Sequence, residues 1–92
     1  MKDPKFKQAC NQISENLNAM SIQLQACIDS GMMDYSSQYY NLLNLLQEDI
    51  EIVKTWDELG EIITRAKTLE KDFDTWLSLK GRSTIGLSWP EC

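Results

Sequence analysis

The apolar residues near the start of the chain recur in alternating steps of four and three positions. They are Phe6, Cys10, Ile13, Leu17, Met20, Leu24 and Cys27. Residues at this spacing lie on one face of an α-helix, whereas a strand would need an apolar residue at every second position. The unbroken heptad pattern therefore predicts a long helix that packs lengthwise against other helices, as in a coiled coil.

The expected bounds of this first helix are residues 4–30. Asp3 can serve as its N-cap, Pro4 suits its first position, and Gly31 suits the position after its end. The other faces of the helix carry mainly amide side chains. The charged residues that select partners in a free two-stranded coiled coil are largely missing, so this composition favours packing inside a bundle.

A second helix is predicted over residues 35–54, after a short connection in which Asp34 can serve as the N-cap. Its apolar residues follow the same alternation: Tyr39, Leu43, Leu46, Ile50 and Val53. Leu42, Leu45 and Ile52 widen this face beyond what one helix–helix contact requires. The short connection favours an antiparallel neighbour, and the wide face predicts that the second helix contacts two neighbours.

A third helix is predicted over residues 56–80. The apolar spacing is interrupted after Val53, and Thr55 and Glu58 follow with the spacing of a capping box, in which a hydroxyl and a carboxylate satisfy free backbone amides. The glycine after the predicted helix suits its end. The fold class expected is all-α, a three-helix antiparallel bundle with coiled-coil-like heptad packing, and residues 1–80 form the bundle domain.

One alternative is a single continuous helix over residues 35–80, which would form a long helical hairpin with the first helix. The apolar residues of positions 61–80 would then have no partner within the chain, so this alternative requires an oligomer. The apolar faces of the three-helix arrangement are also wide for so short a chain. We therefore expect self-association, with a homodimer as its simplest form.

The last segment, residues 81–92, has a different character from the rest of the chain. Two glycines and a proline disfavour a helix here. Ile85, Leu87 and Trp89 alternate with small residues, so an extended tail would present three apolar side chains on one side. The tail is expected either to fold back over the bundle or to bind another protein, and Trp89 is the first candidate for that contact because tryptophan is enriched at interface hot spots.

Negative charge is concentrated in the middle of the chain. The net charge is −5, and residues 48–61 hold six acidic side chains against one lysine. The six are Glu48, Asp49, Glu51, Asp57, Glu58 and Glu61. Nucleic acid and membranes are disfavoured as direct partners, since both select clustered lysine and arginine. These carboxylates are expected either to form a solvated surface near the lysines at the start of the first helix or to bind a basic partner.

The inventory of reactive side chains is small. The chain has no histidine, and its three cysteines, Cys10, Cys27 and Cys92, form no CxxC pair. Cys10 and Cys27 lie roughly 25 Å apart if they share one helix, far beyond the reach of a disulfide. We expect free cysteines, no metal and no cofactor. The chain also shows neither a secretory signal nor a transmembrane run, so a cytoplasmic location is expected.

These features predict a protein that binds other proteins and is not an enzyme. No nucleophile motif, metal-binding motif or phosphate-binding loop is present in the sequence. The function expected is a non-enzymatic protein–protein interaction module, such as an adaptor, a chaperone or an inhibitor of another protein. Two alternatives are an acidic decoy that mimics nucleic acid on a basic binding surface and a small structural subunit that acts through its own assembly.

Overall fold

The computed structural model describes residues 4–34 and 37–90 of the chain. They form three helices, α1 (Pro4–Asp29), α2 (Gln38–Ile52) and α3 (Trp56–Leu79), and each helix contacts both of the others. No residue within these described ranges lies in a strand. The fold is an all-α helical bundle, as the heptad pattern predicts. None of the three helices has both the length and the apolar character needed to cross a lipid bilayer.

The helices run up, down and up. At one end of the bundle the rings of Phe6 and Trp56 meet edge to face with their centroids 5.3 Å apart, so α1 and α3 begin side by side. At the other end Nη2 of Arg82 donates a hydrogen bond of 3.3 Å to Oγ of Ser30, just beyond the ends of these two helices. The intervening helix, α2, is therefore antiparallel to both.

The predicted apolar faces form the core. On α1 the fully buried members of the heptad pattern are Ile13, Leu17, Met20, Leu24 and Cys27. From α2 and α3 the core receives Leu43, Leu46, Ile50, Leu59, Ile62, Ile63, Ala66, Leu69, Phe73 and Leu77. Phe6 and Cys10, at the first turns of α1, are half-buried and pack against this core. Burial of these side chains is the main favourable contribution to folding.

The second helix begins later than predicted. Ser37, not Asp34, is the N-cap of α2, and its Oγ accepts a hydrogen bond of 3.2 Å from the backbone N–H of Tyr39. The carbonyl of Asp34 instead accepts a hydrogen bond from the N–H of Ser37. Asp34 and Ser37 both carry capping side chains and lie within one turn of each other. Ser37 acts as the cap because it directly precedes the first turn of α2, where the backbone amides are free. Asp3, the predicted cap of α1, lies outside the described residues.

A short non-helical segment separates α2 from α3, as the capping residues predict. Val53 and Thr55 are extended, and Oγ1 of Thr55 accepts a hydrogen bond of 3.2 Å from the N–H of Glu58. The same hydroxyl donates a hydrogen bond of 3.0 Å to Oε1 of Glu58. In a standard capping box this carboxylate would instead accept a hydrogen bond from the backbone N–H of the cap residue. The helices are separate, and the continuous helix over residues 35–80 is not formed.

The chain reverses direction after α3 through a glycine in the left-handed region. Gly81 has a φ of 74°. Its N–H donates to the carbonyl of Ser78 at 3.0 Å, and the N–H of Arg82 donates to the carbonyl of Leu77 at 2.9 Å. This pair of hydrogen bonds is a Schellman motif, and Gly31 ends α1 in the same way. The motif after α3 directs the tail back along the bundle.

Candidate functional site

The tail predicted to be extended lies in the cleft between α1 and α3. Residues 82–90 are non-helical and run antiparallel to both helices. The side chains of Ile85, Leu87 and Trp89 are half-buried and pack against the core of the same chain. The three apolar groups singled out as a partner site thus contact the protein's own bundle.

Two acidic side chains of α3 hold the backbone and the indole of the tail. Oδ1 of Asp74 accepts a hydrogen bond of 2.9 Å from the N–H of Ile85, and Oε2 of Glu70 accepts one of 3.3 Å from Nε1 of Trp89. Burial and the nearby carboxylate of Asp74 raise the pKa of Glu70, while hydrogen bonds from Trp89 and from the backbone of Leu87 oppose that rise. A partner that paired with the tail as a β-strand would need its backbone N–H groups, and the N–H of Ile85 is already bound to Asp74.

On the other flank of α3, a groove of about 330 Å³ runs along the surface where α2 and α3 meet. We call it the α2–α3 groove. Leu42 and Leu45 lie one turn apart on α2 at its edge, with 47% and 55% of their surfaces exposed, and Leu46 and Leu69 line it as buried residues. A smaller cavity of about 120 Å³ extends it toward Ile52, which is 69% exposed. An apolar surface therefore follows the outer edge of α2 for most of its length.

Carboxylates surround this apolar surface. Four of them line the groove and its extension: Asp49, Glu58, Glu61 and Asp72. Arg65 lies between two of these, with Nη1 at 3.4 Å from Oδ2 of Asp49 and Nη2 at 3.8 Å from Oε1 of Glu61. Exposed ion pairs of this kind contribute less than ~1 kcal/mol each. The described lining thus carries three more negative than positive charges.

The structure divides the predicted acidic patch. Asp49, Glu58 and Glu61 line the α2–α3 groove or its extension. The other predicted members, Glu48, Glu51 and Asp57, are exposed and line neither cavity. Arg65 was not predicted as part of this surface, although its position four residues after Glu61 was a readable signal for a helical ion pair.

The structure matches only part of the prediction for the wide apolar face of α2. The helix contacts two neighbours, as expected, yet Leu42, Leu45 and Ile52 remain exposed. Trp56, in the first turn of α3, is 37% exposed, and its ring contacts that of Phe6. Trp76 is half-buried and stacks on Phe73 with the ring centroids 6.0 Å apart.

Comparison with known proteins gives no match to a family model, to a curated protein or to a solved structure. Within the part of the chain that the structure describes, no group of three or more cysteine, aspartate or glutamate side chains is placed to hold a metal ion. The exposed leucines and the carboxylate margin make the α2–α3 groove the candidate functional site of this bundle.

Proposed function

We propose that this protein is a non-enzymatic protein–protein interaction module that binds its partner in the α2–α3 groove. The observation that carries the proposal is the exposure of Leu42 and Leu45, which leave about half of their surfaces in water directly above buried core residues. Clustered exposed apolar residues with a polar margin are typical of protein interaction sites. An adaptor, a chaperone or an inhibitor would each use such a surface.

The tail is a weaker candidate for the binding element. Ile85, Leu87 and Trp89 already pack against the core, and hydrogen bonds to Glu70 and Asp74 hold the segment in place. A partner would have to displace these contacts before it could use the tail. The groove needs no such rearrangement, so it supports the proposal more directly.

The acidic decoy is likewise less supported. A mimic of nucleic acid needs a dense array of negative charge, and the structure divides the six predicted carboxylates, leaving Glu48, Glu51 and Asp57 outside the groove. Self-association remains a proposal as well, since a homodimer would also bury Leu42 and Leu45.

The free thiols of Cys10 and Cys27 support a reducing compartment such as the cytoplasm.

A capture experiment with matched surface variants tests this function. The tagged protein and the double variant Leu42→Ser/Leu45→Ser are incubated with an extract of the native host, and bound proteins are identified by mass spectrometry. Ile22→Ser is the control, because Ile22 is an apolar residue on α1 that is 65% exposed and does not line the groove. All three changes lie at exposed positions, so the helix content measured by circular dichroism should be unchanged.

The expected result is a partner that the wild type and Ile22→Ser retain and that the double leucine variant loses. A variant lacking residues 83–92 separates the tail from the groove. If this variant keeps the helix content of the wild type and it alone loses the partner, the tail is the binding element and the groove proposal is wrong. If no protein distinguishes the wild type from the double variant, the groove is not an interaction site.

A further inference from the structure

We propose that the α2–α3 groove binds an amphipathic helix of about four turns that carries lysine or arginine on both sides of its apolar stripe. This inference rests on the proposed interaction function and specifies its partner. It follows from three features of the groove, which are its length, the spacing of its apolar residues and the sign of the charge around it.

The shape of the groove suits a helix. Its floor and walls are two antiparallel helices, and α2 extends roughly 22 Å over its 15 residues. Leu42, Leu45 and Ile52 are separated by three and seven positions, so they form one stripe parallel to the helix axis. A third helix lying along this stripe would pack ridges into grooves against both α2 and α3. An extended strand would gain no backbone hydrogen bonds here, because the backbone of both helices is already paired internally.

The charge around the groove specifies the margins of that helix. Asp72 lies near one end, Glu58 and Glu61 lie toward the other, and Asp49 lies between them. Arg65 is the single cation among the described lining residues, and it is already paired with Asp49 and Glu61. Lysine or arginine beside the apolar stripe of a partner would therefore meet three carboxylates on the α3 wall of the groove and Asp49 on the α2 wall. Complementary charge of this kind sets specificity and orientation.

The same charges disfavour a second copy of this chain as the occupant. A two-fold contact through the groove would bring the four lining carboxylates of one protomer, Asp49, Glu58, Glu61 and Asp72, against the same set in the other. One Arg65 on each side cannot neutralise four carboxylates, and each chain carries a net charge of −5. Like charges placed opposite each other weaken association, so a basic helix is the better complement.

Binding of synthetic helices to the full-length protein tests the inference. The basic probe is a labelled peptide of about 14 residues with leucine at heptad positions and lysine on both sides of them. The acidic probe replaces every lysine with glutamate, and the scrambled probe keeps the basic composition without the leucine stripe. Affinities are measured by fluorescence anisotropy at low and at physiological ionic strength.

Two protein variants localise the binding. Asp72→Lys reverses a charge at the groove, and Glu15→Lys makes the same change at an exposed position on α1 outside it. The double variant Leu42→Ser/Leu45→Ser removes the apolar edge. The basic probe should bind the wild type at least about tenfold more tightly than the acidic probe does, and the scrambled probe should show no saturable binding.

Three results would support the inference. Asp72→Lys would lower the affinity for the basic probe several-fold, the double leucine variant would abolish binding of this probe, and Glu15→Lys would leave the affinity nearly unchanged. Equal affinities for the basic and acidic probes would overturn the charge specificity. Failure of the basic probe to bind would overturn the helical occupant, while the capture experiment would still decide whether the groove is an interaction site. A dimer in sedimentation equilibrium that disappears in the double leucine variant would assign the groove to a second copy and overturn the inference.

Discussion

The side-chain amide of Asn16, in the middle of α1, donates a hydrogen bond of 2.6 Å to the backbone carbonyl of Ser88 in the tail. Asn16 is 4% exposed, and among the described residues it is the one polar residue buried in the core. Its Oδ1 accepts a hydrogen bond of 3.2 Å from Nε2 of Gln12, so both ends of the amide are satisfied. A buried amide that meets a carbonyl 72 positions away fixes the register of the tail against α1.

Replacement of Asn16 should destabilise the protein through the tail. Asn16→Ala removes the donor, leaves the carbonyl of Ser88 without this partner and creates a cavity, for an expected loss of about 1–3 kcal/mol in the free energy of unfolding. Urea denaturation followed by circular dichroism measures it. Asn18→Ala is the control, because Asn18 is exposed on the same helix and its replacement should change stability by less than about 0.5 kcal/mol. Equal stability of the two variants would show that the hydrogen bond to the tail contributes nothing.

The partial burial of Glu70 makes the stability of the fold depend on pH. Burial, reinforced by Asp74, raises the pKa of Glu70 in the folded state. Protonation of Glu70 therefore favours the folded state. Its stabilising contribution is fully present below the unfolded-state pKa, about 4.3, and is lost as the pH rises through the raised folded-state pKa.

The variant Glu70→Gln resembles the protonated form at every pH. It should be more stable than the wild type at neutral pH, and the difference should shrink as the pH falls through the raised folded-state pKa and vanish below about 4.3. Thermal unfolding across this pH range measures the difference, with Glu15→Gln on the exposed face of α1 as the matched change. A difference between Glu70→Gln and the wild type that does not vary with pH would contradict the role assigned to this carboxyl group.

The N-cap of α3 should carry measurable stability. Thr55→Ala removes the acceptor for the N–H of Glu58 and the donor for its carboxylate, and the expected loss is about 1 kcal/mol. Thr75→Ala, at an exposed position inside the same helix, should cost less than about 0.5 kcal/mol because alanine is the better helix former. Denaturant midpoints of the two variants give the comparison. A larger loss for Thr75→Ala would mean that the cap does not define the start of α3.

The two described cysteines should differ in reactivity although both are free thiols. Cys27 is fully buried, and burial raises the pKa of its thiol, with Arg82 opposing that rise. Burial also raises the pKa of the thiol of Cys10, which is only half-buried. Since the thiolate is the reactive form and must be reached by the reagent, Cys27 should be alkylated far more slowly than Cys10. Site-resolved mass spectrometry on native and urea-unfolded protein measures both rates, and comparable native rates would show that the core opens at Cys27.

Helical periodicity and caps were readable in the sequence because they are local. The alternating steps from Phe6 to Cys27 predict the buried face of α1 almost residue by residue. Thr55 correctly predicts the break before α3, and Gly81 correctly predicts its end. The start of α2 was misplaced at a similar local level, because Asp34 and Ser37 both carry capping side chains and only the structure shows which one meets the free amides.

The sequence by itself determined that this chain is helical, where two of its helices begin or end, and which side chains form each apolar face, since these properties depend on neighbours within a few turns. The tertiary structure alone decided that the tail lies in the cleft between α1 and α3, that Arg65 pairs with Asp49, and that Leu42 and Leu45 stay exposed. The physical reason is geometric. A helix can present more apolar residues than its neighbours can cover, and which of them is buried depends on how distant segments pack against each other.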